Sequence, residues 1–226
     1  MALFSGLFMG IASIAVMTIA YRIYILKGDL AGNEPEPFFY QMWRDSRLFH
    51  TIVWIAVFAF SFACGWFALE NVQNVIAYFR IVAAILVLLA ATVTDIFTYR
   101  IPNLLTILCL IFGVFATIAT AFVNKDEAVA WVVNSMLALI ISMLFLLLMS
   151  RVTKGGLGLG DVKIVSGFGF LCGLRATIYM LLIAFAICAM LSIVLLATKK
   201  KNLKDNLALG PYLWIGAGVA TMLSLV

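Results

Sequence analysis

The chain has 226 residues, 65% of them hydrophobic and 11% charged, with mean hydropathy +1.17 and a formal net charge of +5. Water-soluble domains are about half apolar and one quarter charged, so these values exclude a disordered chain and an ordinary soluble domain. The basic excess falls between apolar runs, which ties it to membrane orientation rather than to nucleic acid.

A helix crosses a bilayer with about 20 apolar residues. Apolar runs lie at 3–26, 50–69, 76–98, 102–123, 129–150, 162–172, 175–198 and 207–225. The sequence therefore predicts an all-α, polytopic transmembrane bundle of about seven to eight spans, forming one integral membrane domain over residues 1–226. The first run lacks a preceding basic segment and reads as a retained helix rather than a signal peptide. The run 162–172 is the exception in length, because a helix of that size reaches only about 17 Å. It predicts a short or broken helix enclosed by its neighbours, since irregular backbone is not tolerated against lipid.

Basic residues alternate between connections. Residues 27–48 carry Lys27, Arg44 and Arg47, and residues 70–75 carry no Lys or Arg. Arg100 follows the third run, Arg151 and Lys154 the fifth, and Lys199, Lys200, Lys201 and Lys204 the seventh. By the positive-inside rule these connections face the cytoplasm, and Lys125 and Arg175 are lone cations on outer turns. Residues 27–48 mix Asp29, Glu34, Glu36 and Asp45 with their bases and read as a solvated connector or a surface for a basic partner. The tryptophans fall near run ends and read as interfacial anchors, as does His50. The four cysteines, Cys64, Cys109, Cys172 and Cys188, sit singly in apolar runs and read as small buried hydrophobes, not metal ligands.

Most of the ten acids lie in connections; Asp95 and Asp161 do not. Asp95 sits about one turn inside the end of the third run, where a carboxylate opposes its own helix dipole. An interfacial Asp paired with Arg100 is the plain reading. Asp161 follows four glycines at 155, 156, 158 and 160, a segment whose backbone can approach another group closely. Its plain reading is a helix N-cap. A phosphate loop is excluded, because Asp161 stands where that motif needs Lys. Both acids map to the same membrane face. Two carboxylates meeting across a water supply a general base and an electrophilic acid, the machinery of aspartic proteolysis.

Asp95-Ile96-Phe97-Thr98-Tyr99-Arg100-Ile101-Pro102-Asn103 resembles the D-x5-I-P-N signature of prepilin peptidases, the intramembrane aspartyl proteases with a G-x-G-D motif. Gly158-Leu159-Gly160-Asp161-Val162-Lys163 resembles their G-x-G-D-x-K signature, and Gly210-Pro211 their C-terminal motif. The resemblance covers residues 76–226 as a peptidase core and leaves residues 1–75 as a degenerate N-terminal part. It implies an aspartic endopeptidase with Asp95 and Asp161 as the catalytic pair, without metal or cofactor. It further implies pilin-like precursors as substrates, cut after a short basic leader at the cytoplasmic face of the bacterial inner membrane. Gly158, Gly160, Lys163, Pro102, Gly210 and Pro211 are the expected site-shaping residues. Pro102 fits the first turn of the fourth helix. Lys163 serves either the charge of the pair or lipid phosphates, and Gly210-Pro211 either the site or a helix start. The larger members carry two CxxC pairs in the loop after their first helix, tied to zinc and methyl transfer; residues 27–48 have no cysteine, which argues against methyltransferase activity here. The other classes open to such a chain are an ion-coupled transporter, which would favour internal repeats and midplane charges, and an inactive scaffold of a pilus or secretion machine.

Overall fold

The computed structural model describes residues 1–28, 47–71, 74–98, 100–153, 157–197 and 208–223. The connector 29–46, the glycines at 155 and 156 and the lysine cluster at 199–204 lie outside the described residues. Among the described residues all regular structure is helical. The elements are α1 (Ala2–Gly28), α2 (Arg47–Asn71), α3 (Val75–Thr98), α4 (Asn103–Val123), α5 (Lys125–Val152), α6 (Leu159–Ala197) and α7 (Gly210–Met222). Six of them, all but α7, are long and apolar enough to cross a membrane. The chain is a polytopic helical membrane protein.

Burial singles out α3. Its span is 61% buried, against 22–28% for the other five, so α3 is the central column and the rest present broad faces outward. It packs against α1, α2, α4, α6 and α7, whereas α5, among the described residues, packs along α4 and α6 and reaches α3 through Trp131 on Arg80. The outward faces of α4 and α5 carry residues such as Phe115, Ile118, Leu137 and Leu144, the apolar surface that lipid requires.

At about 1.5 Å per residue the 39 residues of α6 would run roughly 58 Å, nearly twice the hydrocarbon thickness. The helix breaks at Gly173, the one positive-φ glycine among the described residues, at φ 84° and ψ 175°. A Cβ on Gly169 would stand 3.2 Å from Thr177 Oγ1. In a straight helix residues eight apart lie about 12 Å from each other. The chain therefore doubles back at Gly173, and the arm 159–172 is the short helix expected after the G-x-G-D segment. Asn134 of α5 serves the break, its Oδ1 accepting the Leu174 N–H at 3.3 Å.

α7 is shorter than the apolar run 207–225 predicted, with 13 residues and about 20 Å of length. Most of its residues are buried, which suits a helix enclosed by α2, α3 and α6. Trp214 corrects the anchor reading. It is 7% exposed and packs edge-on against Phe60 at 4.7 Å, because α7 turns it into the core rather than toward a membrane surface. The cysteines behave as the sequence indicates: Cys64, Cys109 and Cys172 are buried and Cys188 half-buried, all free thiols.

Candidate active site

Asp95 lies three residues before the C-terminal end of α3 and is 6% exposed. Its carboxylate turns inward to the start of α7 rather than outward to Arg100, which is exposed. The Gly210 N–H donates to Asp95 Oδ2 at 2.8 Å, and the Leu209 amide faces the same carboxylate. These are the amides of the N-cap and first residue, at the positive end of α7. That helix start offsets the unfavourable C-terminal end of α3 and supplies donors that water would supply outside the membrane.

Such an approach requires glycine at position 210. A Cβ there would sit 3.1 Å from each of Asp95 Cβ, Asp95 Oδ2 and Thr92 Cα. Pro211 follows in the first turn of α7, where its missing N–H costs nothing. The pair starts a helix, and that start is what meets Asp95.

Asp161 is not the N-cap of α6 but its third residue, with Gly158 in the cap position. The side chain reaches back over Gly158, whose amide it faces, in the manner of the acidic member of a capping box. It is half-buried, and its Oδ1 is buried without a hydrogen-bond partner among the described residues. The two carboxylates, carried by separate helices, lie close enough for the charge of Asp95 to act directly on Asp161.

The flanking motif residues lock these helices. A Cβ on Gly160 would stand 3.2 Å from Ile101 Cβ, so the glycine lets α6 close on the Ile101-Pro102-Asn103 turn. Lys163 is exposed and donates from Nζ to Asn103 Oδ1 at 3.0 Å. Pro102 occupies the N-cap of α4, one position before the first turn, and its carbonyl accepts the Leu105 N–H at 3.1 Å. The Ser150 hydroxyl donates to the Leu157 carbonyl at 2.8 Å and closes the approach to the Asp161 helix. Among the described residues no cluster of three or more His, Cys, Asp or Glu has the makings of a metal site.

Two features escaped the sequence reading. The Leu209 amide is one; the proline marking a helix start was the available signal. The other is Arg80, inside the third apolar run and 4% exposed. Its guanidinium stacks over Trp131 at 3.7 Å from the ring centroid and donates from Nη2 to Thr120 Oγ1 at 3.1 Å. It stands about 22 Å from Asp95 along α3 and is no part of the acid site. Its signal was a lone cation in an otherwise apolar span.

A sequence model of the type IV leader peptidase family matches residues 81–193, half of the chain, including both acids but not Gly210-Pro211. The chain is also 30% identical over 129 residues to the prepilin leader peptidase/N-methyltransferase of Pectobacterium carotovorum subsp. carotovorum. That alignment covers 57% of this chain and 46% of the relative, so the chain matches less than half of the relative's length. No solved structure matches the chain.

Proposed function

The chain belongs to the type IV leader peptidase family, and we propose that it is an intramembrane aspartic endopeptidase whose catalytic pair is Asp95 and Asp161. Its substrates are type IV pilin-like precursors, cut behind a short basic leader at the cytoplasmic face of the bacterial inner membrane. Residues 1–226 act as one integral membrane domain.

What supports this reading is that carboxylates from α3 and α6 lie at the same end of the bundle, near enough for the charge of one to act on the other. Structural acids in apolar sequence are costly, and two brought together are costlier. Chemistry that needs both accounts for them. Asp95, facing two amide donors and, among the described residues, no acceptor, suits the ionised, accepting role. It takes a proton from a water between the acids. Asp161, protonated, donates to the scissile carbonyl oxygen as the water attacks carbon. Collapse of the gem-diol intermediate breaks the C–N bond: the proton held by Asp95 leaves with the amine, and one hydroxyl returns its proton to Asp161 as the carbonyl re-forms.

The membrane face follows from charge. The acids lie at the bundle end bearing Arg100, Arg151 and Lys163, which the positive-inside rule assigns to the cytoplasm. Methyl transfer, part of the relative's name, is not expected of this chain, because residues 27–48 hold no thiol ligands. The test is purified protein in detergent mixed with pilin-type precursors, with products weighed by mass spectrometry. One new amine terminus behind the basic leader is the expected product. Intact precursors, with the protein shown to be folded by its thermal transition, would reject the assignment.

A further inference from the structure

One polar contact beside Asp95 has no part in the chemistry above. Thr92 lies one turn before Asp95 on the same face of α3 and is 6% exposed. Its Oγ1 stands 2.9 Å from the Leu88 carbonyl of its own helix and 2.9 Å from the Gly210 carbonyl of α7. The hydroxyl has one proton to share between them. The first contact is the ordinary back-bond of a helical threonine. The second joins two elements far apart in sequence, and it grips the residue whose N–H donates to Asp95 Oδ2 at 2.8 Å. Residue 210 is thus held at both polar ends by α3, its carbonyl by Thr92 and its amide by Asp95.

We propose that Thr92 is a positioning residue that fixes the direction of the Gly210 N–H and, through it, the orientation of the Asp95 carboxylate. This rests on the peptidase reading for its consequence but not for its geometry. A shift of the start of α7 along α3 would draw the Gly210 amide away from Oδ2 and free the carboxylate to swing about its side-chain torsions. The Leu209 carbonyl, on the other side of that peptide, accepts the Tyr212 and Leu213 N–H groups within α7, so the amide moves with the helix and its aim depends on how α7 seats on α3. Leu88 and Gly210 both belong to helices, where their carbonyls serve as ladder acceptors. Loss of the hydroxyl therefore strands no buried acceptor, and Thr92→Val is expected to fold.

Two measurements on the full chain in detergent test this. Hydrogen exchange at the Gly210 amide, read by mass spectrometry on wild type, Thr92→Val and Thr92→Ser, needs no substrate. Exchange should be about tenfold faster in Thr92→Val and near wild type in Thr92→Ser, which keeps the hydroxyl. Equal exchange in all three would overturn the clamp. The second measurement is steady-state cleavage of a pilin-type precursor. Thr92→Val should lose about tenfold in kcat with KM unchanged, and Thr92→Ser should recover most of it. Equal losses in both variants, accompanied by a lowered Tm, would reduce Thr92 to packing. Wild-type protein that cuts nothing would reject the peptidase reading while the exchange result still decides the clamp.

Discussion

Replacing Gly210 by alanine probes the point where three elements of the site meet. The new methyl carbon would lie 3.1 Å from Asp95 Cβ, Asp95 Oδ2 and Thr92 Cα, against roughly 3.5–4.0 Å for relaxed carbon contacts. Two of these atoms are fixed to the α3 backbone, so α7 has to retreat by a few tenths of an ångström. Overpacking of this kind costs about 1–3 kcal/mol. The same retreat lengthens the 2.8 Å bond from the Gly210 N–H to Asp95, a contact to a charged group worth about 1.5–3 kcal/mol. If 1.4–2.8 kcal/mol of the combined loss reaches the barrier, kcat falls about 10- to 100-fold. Gly216→Ala is the control. Its Cβ would lie 2.6 Å from the Met180 carbonyl oxygen, on the α6 side of α7 and away from the acids. It should lower Tm more than Gly210→Ala does and kcat less. The assay pairs cleavage kinetics with thermal unfolding in the same detergent. Gly210→Ala turnover within twofold of wild type would refute the argument that the start of α7 supports Asp95.

Trp131→Leu removes the ring beneath the buried Arg80 guanidinium and should cost about 2 kcal/mol, read as a lowered Tm, with kcat unchanged at the distant acids. Single cysteines at Thr98 and Thr153, in a chain without native cysteines, should resist a membrane-impermeant thiol reagent in sealed cells; labelling of either would contradict the assigned cytoplasmic face. The protein should cut precursors after exhaustive chelation and leave the product unmethylated in the presence of a methyl donor; stoichiometric zinc or a methylated product would overturn the exclusion of methyl transfer.

The helices were legible because apolar length is a property of sequence alone. The arm 159–172 was legible for the same reason, being too short for an ordinary span. Its reversal was legible in outline, as the outer turn carrying Arg175 between the runs 162–172 and 175–198, but the device that makes it was not. Gly173 is one of several glycines in that segment, and its positive φ is supported by Asn134 of a different helix. The acids stood out because an ionisable group in apolar sequence demands a partner. Arg80 met that same criterion, but Trp131 and Thr120 come from two other helices and no spacing announces them. Trp214 was misread because a tryptophan near a run end suits an interface and a core equally well, and only the packing of α7 decides. Thr92 carried no signal, since a helical threonine is ordinary until the Gly210 carbonyl arrives from α7.

The central claim is that Asp95 and Asp161 perform separate, indispensable steps of one hydrolysis. Its most direct test is cleavage of a pilin-type precursor by wild type, Asp95→Asn and Asp161→Asn, each matched for thermal stability in one detergent. Asparagine neither accepts the water proton nor supplies the acidic one, so each variant should lose at least about 10³-fold in kcat. Either variant cutting at a rate near wild type would contradict the account.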